Sequence, residues 1–351
     1  MQKISKSLRR LRFLLGFILI LYPFSAVGIA QSLNDAELLD IMTKIKKAKS
    51  ELTYIGMVEI NGGLDERHTM LFKIWVQPPS VYHMESYSLL GRGRDKRFRR
   101  DFRGRDKAPR FRPPFHRSAS KFSLLPGEKY LSLFQQNYIA DLRADEHIAG
   151  RPTTLLTIKP NHLPRFGMRL WYDNSNHLIL KREIVYFEPD DESISFRQKF
   201  QEIEYAEALP DSILERTQKR RVGTRRRGRR SGQKFETIDD LTNKTDAAVF
   251  VPQYVPEGCE LAAINYKKED GRKIIHLHYT DGLLGFSIFE ITGPPPESIK
   301  KLLNRSSRKR TTRQKFQQMV VKQQNHHSFL VLGNFPRVQL RKIANSLEAQ
   351  H

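Results

Sequence analysis

Gly167-Met168-Arg169-Leu170-Trp171-Tyr172, the turn residues Asp173-Asn174, and then Leu178-Ile179-Leu180-Lys181-Arg182-Glu183-Ile184-Val185-Tyr186-Phe187 read as two strands joined tip to tail. Aromatic and β-branched residues crowd both runs and polar residues part them, which favours a pleated ladder over a helix. The same character extends outward through Tyr54 to Ile60, Thr69 to Val76, Val81 to Ser86, Lys129 to Phe134, Tyr138 to Arg143, Thr153 to Lys159 and Ile194 to Ile203. Met70, Phe72, Ile74 and Val76 recur at every second position, and Asn61-Gly62-Gly63 and Pro126-Gly127 supply turns. So many short strands predict one large antiparallel sheet that curls. Ahead of it, Asn34 and Glu37 have capping-box spacing, and Leu38, Met42 and Ile45 place an apolar stripe on a helix that needs a surface to cover.

Two tracts break this pattern. Between residues 92 and 121 lie 13 Lys or Arg and 3 Asp with almost no aliphatic residues, which predicts an exposed basic loop within the sheet. Residues 216–236 open on a run of Arg, Gly and Ser and predict a flexible linker between domains, dividing a domain at 31–215 from a second at 237–351. In the second, Phe250 to Tyr254 and Leu261 to Tyr266 read as strands, and Lys273 to Tyr279 pairs with Leu283 to Ile291 across the turn Thr280-Asp281-Gly282. Ser298 to Asn304 reads as a short helix, Met319 to Lys322 and Phe329 to Leu332 as strands, and Val338 to Leu347 as a closing helix. The expected class is mainly β, or α+β: a large curved antiparallel half-barrel sheet with a covering helix, followed by a small α+β domain.

The chain has 351 residues, 39% of them hydrophobic, and a formal charge of +23. That composition folds, and that charge predicts anionic partners without saying anything of fold. With residues 92–121, 216–230 and 305–315 and the five N-terminal charges set aside, the remaining body is mildly acidic. A single cysteine, Cys259, excludes an intramolecular disulfide, a multi-thiolate zinc site and an iron–sulfur cluster. Lys3, Lys6, Arg9, Arg10 and Arg12 precede the apolar run from Phe13 to Tyr22 and the small residues Ser25 to Ala30, so residues 1–30 read as a cleavable signal peptide directing export. Ten apolar residues fall short of the ~20 that a spanning helix needs.

Ile148-Ala149-Gly150-Arg151-Pro152, then Leu156-Thr157-Ile158-Lys159-Pro160, then Arg169-Leu170-Trp171-Tyr172-Asp173 and Leu178-Ile179-Leu180-Lys181, resemble the RseB/MucB family of sigma-E regulatory proteins. Tyr54-Ile55-Gly56 and Phe196 to Phe200 sit where that family has comparable residues, and the segment from Phe250 onward resembles its second domain more weakly. The resemblance implies a sheet like the open half-barrel of LolA-type lipoprotein carriers, in a periplasmic protein. It also implies that the chain binds the periplasmic region of a membrane-bound anti-sigma factor and is released from it by lipid, lipopolysaccharide or mislocalised lipoprotein. The basic tract and the linker are longer and more basic than in the family.

One apolar face of such a sheet must be covered or left as a cleft. A cleft lined by Phe72, Ile74, Val76, Leu131, Leu133, Leu156, Ile158, Leu170 and Phe196, with Trp171 beside them, accepts an alkyl chain at about 0.8 kcal/mol per buried methylene, whereas a filled core is the competing reading. Candidates for a partner or anion are Arg97, Arg99 and Arg100 in the loop, Arg151 and Arg169 on the sheet, and Arg220, Arg221, Arg225, Arg226 and Arg227 in the linker. An arginine beside a sheet turn also pairs with carboxylates such as Asp173, with its stem over an aromatic. The basic tracts suit an anionic membrane surface, an acidic peptide or plain solvation; export argues against nucleic acid despite the interleaved Phe98, Phe102, Phe111 and Phe115. His276 and His278 share a strand face without a third ligand, so no metal and no cofactor is expected. No catalytic motif occurs in the sequence, and an enzyme is not expected. A plain periplasmic carrier of lipid or lipoprotein is the alternative function.

Overall fold

The computed structural model describes residues 31–61, 69–79, 81–90, 128–215, 232–245, 248–269, 271–293, 317–324 and 326–350. The basic loop, nearly all of the linker, including its basic run, and the helix expected at Ser298 to Asn304 lie outside the described residues.

Asn34 caps helix α1 (Asp35–Glu51): its side chain accepts from the Glu37 amide at 3.0 Å, and the Glu37 carboxylate accepts from the Asn34 amide at 3.1 Å. Both ends of the expected capping box are made. The buried stripe is Leu38, Met42, Ile45 and Ala48, one residue per turn.

After the two-residue β1 (Gln31–Ser32) and α1, the chain runs through β2 (Tyr54–Asn61), β3 (Thr69–Gln77), β4 (Val81–Leu90), α2 (Leu131–Asn137), β5 (Tyr138–Ile148), β6 (Arg151–Pro160), β7 (Arg165–Asp173), β8 (Ile179–Phe187) and β9 (Glu192–Tyr205). The strands form one antiparallel sheet in the order β1-β5-β6-β7-β8-β9-β2-β3-β4. The end strands β1 and β4 do not pair with each other, so the sheet stays open. Register shifts at Met57/Val58, Leu71/Phe72, Ala144/His147, Trp171/Tyr172 and Ile184/Val185 mark bulges, which bend and twist strands. Ala149 (φ 52°) and Gly150 (φ 75°) join β5 to β6 with the paired positive φ values that two-residue hairpin turns require.

One strand expectation fails. Lys129 to Phe134, read as a strand, instead enters α2 after a single 3-10 turn at Glu128–Tyr130. Leu133, Phe134 and Asn137 are buried, a spacing of three and four that a short apolar run does not distinguish from period two.

The second sheet has the order β10-β12-β13-β14-β16-β15, from β10 (Gln233–Phe235), β12 (Glu260–Glu269), β13 (Arg272–Thr280), β14 (Gly285–Thr292), β15 (Gln318–Gln324) and β16 (His327–Gly333). Gln233 to Phe235, at the end of the expected linker, is therefore a strand paired with β12. Helices α3 (Ile238–Thr245) and α4 (Arg337–Asn345) and the pair β11 (Val249–Pro252) with β17 (Leu347–Gln350) enclose a core around Leu277, Phe286, Ile288, Phe329 and Leu340. The closing helix stops at Asn345, short of Leu347. Ser346 donates its amide to Ile343 and Lys342 and accepts the Tyr254 amide on its hydroxyl, turning the chain into β17.

Candidate functional site

Strand alternation sorts the first sheet into two faces. On the face toward α1, Leu156, Ile158, Leu170 and Phe196 pack with Leu38, Met42, Ile45, Phe166, Met168 and Ile184. Phe72 and Ile74, with Val76 against them, belong to a neighbouring cluster that includes Ala48 of α1, Val58 and Phe200. Most of the expected lining thus lies in two neighbouring apolar clusters, both packed against α1. Leu131 is half-buried and Leu133 buried on α2, outside these clusters. Trp171, next to Leu170 in β7, is 5% exposed and belongs to the second cluster with Phe72 and Ile74. Its indole N–H donates to Asp145 at 3.0 Å and the Lys181 ammonium sits 3.8 Å from its ring centroid.

Arg182 also stands on the concave side, over Phe196 at 5.3 Å.

Arg151 and Arg169 are engaged within the fold. Arg151 pairs with Asp173, donates to Ser175 at 3.0 Å and stacks over Tyr205 at 4.7 Å. Hydrogen bonds to Asp173 outweigh its burial, and its carboxyl is held below the usual range. Arg169 grips both oxygens of Glu192 at 2.6 and 2.7 Å. Arg97, Arg99, Arg100, Arg220, Arg221, Arg225, Arg226 and Arg227 lie outside the described residues. His276 and His278 both meet the Ser287 hydroxyl, at 3.0 and 3.2 Å, and His276 stacks on Phe289. Among the described residues no group of three or more His, Cys, Asp or Glu is arranged to hold a metal.

What sequence reasoning missed is the joint between the sheets. Arg165, at the start of β7, lies 3.3 Å from Asp281 in the β13–β14 turn; it also donates to the Glu257 carbonyl at 2.6 Å and stands over Phe335. The Tyr138 hydroxyl donates to Asp281 at 2.8 Å. Asn137 donates to the carbonyls of Leu133, Gly258 and Asp281. Burial pushes the Asp281 carboxyl up, opposed by Arg165, two loop amides and Tyr138; the Tyr138 hydroxyl is pushed well up by burial and by the Asp281 charge. Asp281 was visible only as a turn residue, and a charged Arg165 entering an apolar strand was the remaining signal.

These features define a class: an open antiparallel half-barrel roofed by one helix, with a second α+β sheet fixed to it by a buried polar joint. Residues 116–216 match the MucB/RseB N-terminal domain model, a span that takes in β5 through β9. The crystal structure of MucB in complex with MucA(peri) is similar over 90% of this chain and 99% of that one, with a TM-score of 0.51 and 15% identity, a likeness of fold. The complex structure of Pseudomonas aeruginosa MucA/MucB has a TM-score of 0.48 and 14% identity over 90% of this chain and 99% of that one. No curated protein matches the chain.

Proposed function

We propose that this protein is a periplasmic binding protein that holds the periplasmic region of a membrane-bound anti-sigma factor and lets go when lipid or lipoprotein occupies the trough. The observation that carries the reading is the family match across β5 to β9, the strands that make up the apolar floor. The floor supports an acyl ligand by its apolar chemistry. The domain at 31–215 and the second domain, which takes in β10 as well as 237–351, share the work across the basic linker: trough and roof in the first, partner contacts in the second and in the arginines of the linker. Ligand can act on partner affinity only if it binds one arrangement of the protein better than the other. Binding, not catalysis, is the role proposed.

Affinity capture from the envelope fraction, read by mass spectrometry, tests this. Recovery of an inner-membrane anti-sigma factor, reduced when phospholipid or lipopolysaccharide is added, is the expected result. Lipid recovered without such a partner favours the carrier function instead.

A further inference from the structure

The joint shares apolar space with the trough. Leu284, in the loop that closes the β13–β14 hairpin, is 4% exposed and belongs to the same packed cluster as Leu156, Ile158, Leu170 and Phe196; Leu283 packs against it. A residue of the second sheet therefore completes the interior of the first. Gly282 (φ +97°) lies so close to α2 that a Cβ would stand 2.5 to 2.8 Å from the backbone and Cβ of Phe134.

The loop is held by bonds that fit one seating. One oxygen of Asp281 accepts the Leu283 and Leu284 amides at 3.1 and 2.7 Å; the other accepts from Tyr138 and Arg165. The Asp281 carbonyl accepts from Asn137 at 3.2 Å. Partial withdrawal leaves buried charge and buried donors unpaired, so the loop has two states, seated or released, instead of a range of positions. Packed interiors hold no spare room for an alkyl chain, so an entering ligand must displace side chains. A hollow of 310 Å³ at Lys159, Phe187 and the 188–192 turn lies against the other face of the sheet and does not relieve this.

We propose that Leu283 and Leu284 form a plug in the end of the trough, and that an acyl chain entering it expels the plug and releases the second sheet from the joint. This rests on the acyl-binding reading above and supplies its missing link: ligand and second sheet compete for one apolar volume.

The test uses the chain from Gln31 onward and parinaric acid, a fluorescent 18-carbon fatty acid. Because the seated plug taxes the ligand, Leu284→Ala should lower the Kd for the probe about tenfold. In the unaltered protein, saturating probe should speed hydrogen exchange at the Leu283 and Leu284 amides by about tenfold or more, a readout that holds even if the variant folds poorly. Probe binding with equal affinity in both proteins and unchanged exchange at those amides would overturn the plug while leaving acyl binding intact. No probe binding by either protein would overturn both.

Discussion

Arg165 and Asp281 face each other at 3.3 Å across the joint of the two sheets, with 3% and 0% of their side chains exposed. Each comes from a different sheet, and each is costly to bury alone. Removing one partner of such a pair strands the other, at about 3–5 kcal/mol. Arg165→Met is therefore expected to lower the unfolding free energy in urea by about that amount, and Arg165→Met combined with Asp281→Leu to recover most of it. Equal losses in the single and double variants would show that the ion pair does not couple the sheets.

Gly282 and Gly150 both adopt positive φ, but only Gly282 is hemmed in by backbone, while a Cβ at Gly150 meets nothing within 4 Å. Gly282→Ala combines backbone strain with a collision against Phe134 and should cost well over ~1 kcal/mol. Gly150→Ala carries the conformational cost alone. Thermal unfolding of the two variants should rank them in that order, and a reversed order would contradict the seating of the loop on α2.

Glu290 sits on the core face of the second sheet, accepting the Phe250 amide at 3.1 Å and lying 2.8 Å from His327. Burial pushes its carboxyl up to about 7 despite the Phe250 amide, whereas burial and His326 push the His327 imidazole down. The folded protein thus keeps a proton that the unfolded chain gives up. Stability from Glu290 is full below about pH 4.5 and is lost as pH rises through about 7, an amplitude of roughly 3 kcal/mol at ~1.4 kcal/mol per pKa unit. His327 acts in the opposite sense, gaining stability as pH rises through 6.5. Glu290→Gln should abolish the fall and leave the His327 rise; an unchanged pH profile from denaturant midpoints would rule out titration of Glu290.

Cys259 is next to the joint, and burial with the nearby Asp281 charge pushes its thiol far up. A thiol lacking thiolate reacts slowly. Ellman's reagent should label the native protein orders of magnitude more slowly than the urea-unfolded chain, and Arg165→Met should accelerate labelling. Rapid native labelling would show that the joint stands open.

The open sheet was legible in the sequence because β-rich runs and turn residues such as Asp173-Asn174 are local signals, and so was the capping box at Asn34. α2 was not, because Leu131 and Leu133 satisfy period two as well as a helix. Trp171 is buried in one cluster with Phe72 and Ile74, but its contacts with Asp145 and Lys181 were not legible because those partners lie on other strands. The joint was hidden for a deeper reason: Asn137, Tyr138, Arg165 and Asp281 are joined across more than a hundred residues in most of their bonds, and no local pattern encodes such a meeting. Leu284, read as part of a strand, is in fact part of another sheet's interior.

Release of the partner by ligand is the central property of the proposed function. Fluorescence anisotropy of a labelled peptide covering the periplasmic region of the organism's own anti-sigma factor, titrated with the chain from Gln31 onward, measures it directly. The expected result is saturable binding that weakens by tenfold or more when a fatty acid or lipopolysaccharide is present. Absence of peptide binding, or binding indifferent to saturating lipid, would contradict it.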